Sequence, residues 1–126
     1  MKNLILALSL FVSVPAVPAF AATECPSDAA DVEKMIRAAG SCYDAATIAR
    51  DCAWGSSIDV MLAGTASETC EKDYAKMSAA DRKTMNAMRS RCARKYRDEE
   101  GTMYRSMEAH CQLNVSEFWS NIYSTL

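Results

Sequence analysis

The chain has 126 residues, with 14 Lys and Arg against 16 Asp and Glu, one His and six Cys. Half of it is hydrophobic and 24% is charged, which marks a globular chain of one-domain length and excludes a disordered one. The formal charge of −2 argues against nucleic-acid binding, which needs a basic excess, and a single His excludes zinc sites built on two or more His ligands.

Met1 to Ala21 reads as a cleaved signal peptide. Lys2 supplies the positive start, Leu4 to Val14 the apolar stretch, and Ala19-Phe20-Ala21 the small residues for a cut after Ala21. Pro15 and Pro18 interrupt the apolar stretch, which is too short for a membrane span. Residues 22–126 then read as a single helical domain of 105 residues and net charge −3, periplasmic or secreted. All six cysteines (Cys25, Cys42, Cys52, Cys70, Cys92 and Cys111) lie in it. An even number in an exported domain of this size implies disulfides, each adding ~2–4 kcal/mol. No Cys-x-x-Cys pair exists, which argues against a thioredoxin-like motif and a zinc knuckle.

The pattern that follows is helical, because alternating Val and Ile are absent while Ala, Met, Arg, Lys and Glu dominate. Ser27 is placed to cap a first helix over Asp28–Ala39, with Val32, Met35 and Ile36 on one face and Gly40 just beyond its end. Ser41 to Ala46 reads as a loop, and Thr47 as the cap of a short helix to Ala53. Trp54-Gly55-Ser56-Ser57 is the clearest break. Ser57 can cap a helix from Ile58 that Gly64 interrupts before it continues to Met77. Ser78-Ala79-Ala80-Asp81 is a capping box with Asp in place of Glu, and opens a helix to about Asp98 with an apolar stripe of Met85, Met88, Cys92 and Tyr96. After Gly101, a last helix over Thr102–Tyr123 carries Met103, Met107, Cys111, Val115, Phe118 and Ile122 on one face. A chain that turns back at Gly101-Thr102 forms an antiparallel hairpin, in which Cys92 and Cys111 are level and both on inward faces. Cys92–Cys111 is therefore the first expected bridge. The expected fold is a small all-α domain, stapled by disulfides, with a C-terminal antiparallel helical hairpin.

With these residues in place, the stretch from Cys42 to Phe118 resembles the exported lysozyme-inhibitor family typified by LprI. Cys42, Ala45, Thr47 and Cys52-Ala53 are similar to that family's Cys-x-x-Ala-x-Thr…Cys-Ala opening, and Asp59 and Leu62 to its Asp-x-x-Leu-Asn. Cys92-Ala93, Glu100-Gly101-Thr102-Met103, Met107 and Cys111 resemble its Cys-Ala…Glu-Gly-Gly-Ser-Met-x-x-Met…Cys. Ala63, Ala66, Asp81 and Thr84 stand where the family has Asn, Tyr, Gln and Trp, and Cys25 and Cys70 are additional. The resemblance implies a helical, disulfide-bonded domain that occludes the cleft of a lysozyme. It agrees on Cys92–Cys111 and implies Cys42–Cys52, leaving Cys25 and Cys70 to pair with each other. A Cys42–Cys52 bridge cannot span one continuous helix, which would hold the Cα atoms ~15 Å apart against a limit near ~7 Å. It requires Cys42 in a loop folded back along the helix.

Three groups are candidate sites. Asp98-Glu99-Glu100 is an acidic turn that attracts cationic partners, unless it is only a solvated helix end. Trp54 at a loop tip suits an interface anchor, unless it folds onto the core. Met103, Met107 and His110, at i, i+4 and i+7, are soft ligands suited to Cu(I), although the plainer reading packs both Met residues in the core. The basic run Arg82, Lys83, Arg89, Arg91, Arg94, Lys95 and Arg97 spreads around every side of its helix except the apolar stripe, as a solvated face does. No Ser/His/Asp set with a nucleophile elbow, phosphate-binding Gly loop or free Cys nucleophile is recognisable, so neither an enzyme nor a cofactor is expected. The leading expectation is an exported protein-binding domain whose partner is a lysozyme or another cationic envelope protein. The alternative is a periplasmic copper or metal-handling protein using the Met/His face.

Overall fold

The computed structural model describes residues 23–125, so the leader expected over Met1 to Ala21 and its cleavage point lie outside the described residues. Five α-helices follow in order: α1 (Ala29–Ala38), α2 (Cys42–Asp51), α3 (Ile58–Glu71), α4 (Ala79–Tyr96) and α5 (Thr102–Tyr123), with a 3-10 turn over Lys72–Lys76 between α3 and α4. The domain is all-α, with no strand among the described residues and three disulfides.

Caps decide where the helices start. Asp28, not Ser27, caps α1, its carboxylate accepting from the Ala30 N–H at 2.8 Å. Ser41 starts α2 six residues ahead of the expected cap, Thr47. Its hydroxyl accepts from the Asp44 N–H at 3.0 Å and donates to the Asp44 carboxylate at 2.7 Å. Starting there buries Cys42, Ala45, Ala46 and Ala49 on one face at helical spacing, which explains why the segment is not a loop. Ser78 caps α4 as expected, its hydroxyl accepting from the Asp81 N–H at 3.1 Å and donating to the Asp81 carboxylate at 2.7 Å, in place of the backbone return bond of a full capping box. Gly64 does not interrupt α3, which runs on to Glu71 before the chain tightens into the 3-10 turn.

The core has two parts. Val32, Ile36, Ala45, Ala49, Leu62 and Ala66 of α1 to α3 close around Leu113 of α5. Tyr74, Met77, Met85, Cys92, Val115 and Trp119 form the second part, between the 3-10 turn, α4 and α5. Helix α5 serves both, whereas α4 packs against no helix but α5.

Cys92–Cys111 joins the hairpin as expected, with Cα atoms 5.7 Å apart. The other two pairings are corrected: Cys25 is bonded to Cys52 and Cys42 to Cys70, in place of Cys42–Cys52 and Cys25–Cys70. The reason is α2 itself. Cys42 is its first residue and Cys52 its C-cap, so the two stand at opposite ends of one continuous helix, beyond disulfide reach. No described cysteine is free. Three bridges fit an oxidising, non-cytoplasmic compartment. Among the described residues no helix is long and apolar enough to cross a membrane.

Candidate functional site

The site is assembled around Asp59, in the first turn of α3 and fully buried. Its carboxylate accepts from the backbone N–H of Trp54 at 2.9 Å, the N–H of Ser56 at 3.0 Å and the hydroxyl of Ser106 at 2.6 Å. Burial pushes the Asp59 carboxyl up, but the hydrogen bonds from Ser106 and from the Trp54, Ser56 and Gly55 backbone pull it below its ordinary value. Asp59 is thus held as an anion, satisfied by neutral donors. Loop residues Trp54 and Ser56 reach α5 through it, because Ser106 lies in the second turn of that helix.

Both partner-binding candidates are exposed, and the bridge links the Trp54 loop to the helix that follows the acidic turn. Trp54 is not folded onto the core but 42% exposed. Residues 97–103, which include the whole Asp98-Glu99-Glu100 turn, are exposed, and none of the three carboxylates has an ion-pair partner among the described residues. Gly101, at φ 108°, supplies the backbone conformation that turns α4 into α5.

The core reading of the Met pair is overturned: Met103 is 54% and Met107 43% exposed, as are large parts of Phe118 and Ile122. The buried side of α5 is instead Ser106, Leu113, Ser116 and Ser120, with Val115 and Trp119 at its edge. The serines are inside because each hydroxyl has an acceptor. Ser106 donates to Asp59, Ser116 to the Gln112 carbonyl and Ser120 to Asp73.

His110 is half-buried, and neither of its nitrogens reaches solvent or finds a hydrogen-bond partner. Burial holds the imidazole below its ordinary value; the nearby Asp59 charge opposes this and Arg50 reinforces it. Met107 and His110 line an open cleft of about 620 Å³ between α4 and α5, together with Met88, Tyr96 and Phe118. Sequence reasoning missed this cleft, because it follows from the outward turn of the α5 stripe. A second groove of about 680 Å³ runs between α3 and α5 over Ala63, Gly64 and Ser67, where small side chains leave space. Among the described residues no three His, Cys, Asp or Glu gather as a metal cluster.

Asp59, Ser106 and His110 are neighbours, yet they do not form a nucleophilic relay. The Ser106 proton points to Asp59, and His110 hydrogen-bonds to neither, whereas such chemistry needs a bond between nucleophile and base. On α4, Arg89 donates to Ser116 and Arg82 to the Tyr74 carbonyl, while Lys83, Arg91, Arg94, Lys95 and Arg97 are exposed. The positions that carry the family resemblance hold the fold: Asp59 and Leu62 are wholly buried, Gly101 makes the turn, and Cys92 and Cys111 are bonded. Comparison with known protein families, curated proteins and solved structures finds nothing that matches this chain.

Proposed function

We propose that the chain is a protein-binding domain of the periplasm or extracellular space, and that it engages a cationic protein through Trp54 and the Asp98-Glu99-Glu100 turn. The observation that supports this reading is the Asp59 bridge, which ties the Trp54 loop to Ser106, five residues after the Gly101 turn that follows the acidic run, while Trp54 and the three carboxylates are exposed. Long-range attraction steers a basic partner to the carboxylates, and a Trp supplies contact area at little conformational cost. The resemblance described above makes a lysozyme the partner class of choice, inhibited by cleft occlusion with no covalent step.

The test is a lysis assay with purified oxidised protein against several lysozymes. Inhibition is expected to fade with rising salt, since exposed charges are screened beyond about 8 Å at physiological ionic strength. The D98N/E99Q/E100Q variant should keep its helical signal and inhibit at least tenfold less. Equal inhibition by that variant removes the turn from the interface, and no inhibition of any lysozyme removes that partner class.

A further inference from the structure

The first turns of α5 carry a feature that neither packing nor partner binding by the acidic turn accounts for. Met103 and Met107 stand one turn apart on the solvent side, and His110 follows on the same face. Residues at i, i+4 and i+7 fall within about 60° of arc on an α-helix, and neighbours among them have Cβ atoms ~5–6 Å apart. Two thioethers and one imidazole are therefore carried on a single stretch of helix, the sulfurs on exposed side chains and the ring nitrogens turned inward. His110 is the only histidine of the chain, and both of its nitrogens lack hydrogen-bond partners. Trp119 Nε1 is in the same state, but an imidazole nitrogen, unlike an indole N–H, also has a lone pair that can bind a metal. The ring shares the α4/α5 cleft with Met107. All six thiols are consumed in disulfides, which leaves thioethers as the soft donors available. Thioethers with an imidazole select Cu(I), whereas Zn(II) and Cu(II) draw little from neutral sulfur and hard cations want oxygen.

We propose that Met103, Met107 and His110 bind one Cu(I) ion through two sulfurs and one nitrogen. The inference goes beyond the protein-binding reading and rests on different residues. It is tested by anaerobic titration of the oxidised protein with Cu(I) against a chromophoric Cu(I) chelator. One equivalent is expected to bind, with X-ray absorption showing both sulfur and nitrogen scatterers. The M103L/M107L variant keeps size and apolar character and should lose at least 100-fold in affinity at unchanged helical content; H110Q should lose at least tenfold. Zn(II) should bind at least 100-fold more weakly than Cu(I). Failure of the wild type to compete for Cu(I), undiminished binding by M103L/M107L, or Zn(II) binding of equal strength overturns the site. The D98N/E99Q/E100Q variant should bind copper as the wild type does, and M103L/M107L should still inhibit its lysozyme, so the two readings fail separately.

Discussion

The two ends of the chain solve the same problem in opposite ways. Helices α1 to α3 are short, and they share a core of Val32, Ile36, Leu62 and close-packed alanines under two disulfides. Helix α4 spans 18 residues but buries only Met85 and Cys92, touches one other helix, and is fastened to it by one disulfide. The first region is held by dense contacts among many elements, and the second by a few strong ones along one line. Stability therefore concentrates in the N-terminal region, and displayed surface in the hairpin.

The largest effect is expected in the dense region. Leu62→Ala, at a fully buried position, should lower unfolding free energy by ~2–5 kcal/mol in denaturant titrations. Replacing Cys92 and Cys111 together by Ser opens a bridge of sequence separation 19 and should remove about 3 kcal/mol. Its signature is local: hydrogen exchange should accelerate along α4 and leave α1 and α2 protected. Uniform acceleration across all helices would erase the distinction drawn between the two regions.

Asp59→Asn tests the junction between them. An amide offers one acceptor oxygen where the carboxylate satisfies three donors, so a loss of ~1–3 kcal/mol is expected. Because the Asp59 carboxyl is held below its unfolded value, its stabilisation is fully present above about pH 4 and is lost as pH falls through the folded value. The variant should lack that component of acid destabilisation, which a series of unfolding curves between neutral and acidic pH will show. Smallest of all, Met103→Ala should change stability by no more than ~0.5 kcal/mol, since the side chain is mostly in solvent. A loss of several kcal/mol there would restore the core reading.

What was legible in the sequence divides along the same line. The hairpin was read well, because its caps, turn and bridge are local: Ser78 with Asp81, Gly101, and two cysteines equidistant from the turn. The start of α2 differs from the sequence expectation by six residues because both Ser41 and Thr47 can cap, and only the burial of Cys42 and Ala45 against other helices decides between them. The two N-terminal bridges were mispaired for the same reason, since a continuous α2 separates Cys42 from Cys52. On α5 the apolar stripe predicts the wrong inward face. Hydrophobicity could not reveal that serines would be buried, because their partners, Asp59 and Asp73, lie 47 residues earlier in the chain. The Trp54 and acidic-turn candidates were legible as exposed groups, but the tie between the Trp54 loop and α5 was not, as it depends on the Asp59 bridge.

The N-terminal bridges interlace. Delivered to an oxidising compartment N-terminus first, the chain presents its cysteines in the order 25, 42, 52, 70, 92, 111. A catalyst that oxidises neighbours as they emerge joins Cys25 to Cys42 and Cys52 to Cys70, and neither pair is native. The same catalyst joins Cys92 to Cys111 correctly. Under oxidation in that order, α1 to α3 would reach their native bridges only through thiol–disulfide exchange, whereas the hairpin would need only an oxidant. In a host without isomerase activity, the protein should accumulate with one correct bridge and a scrambled N-terminal half.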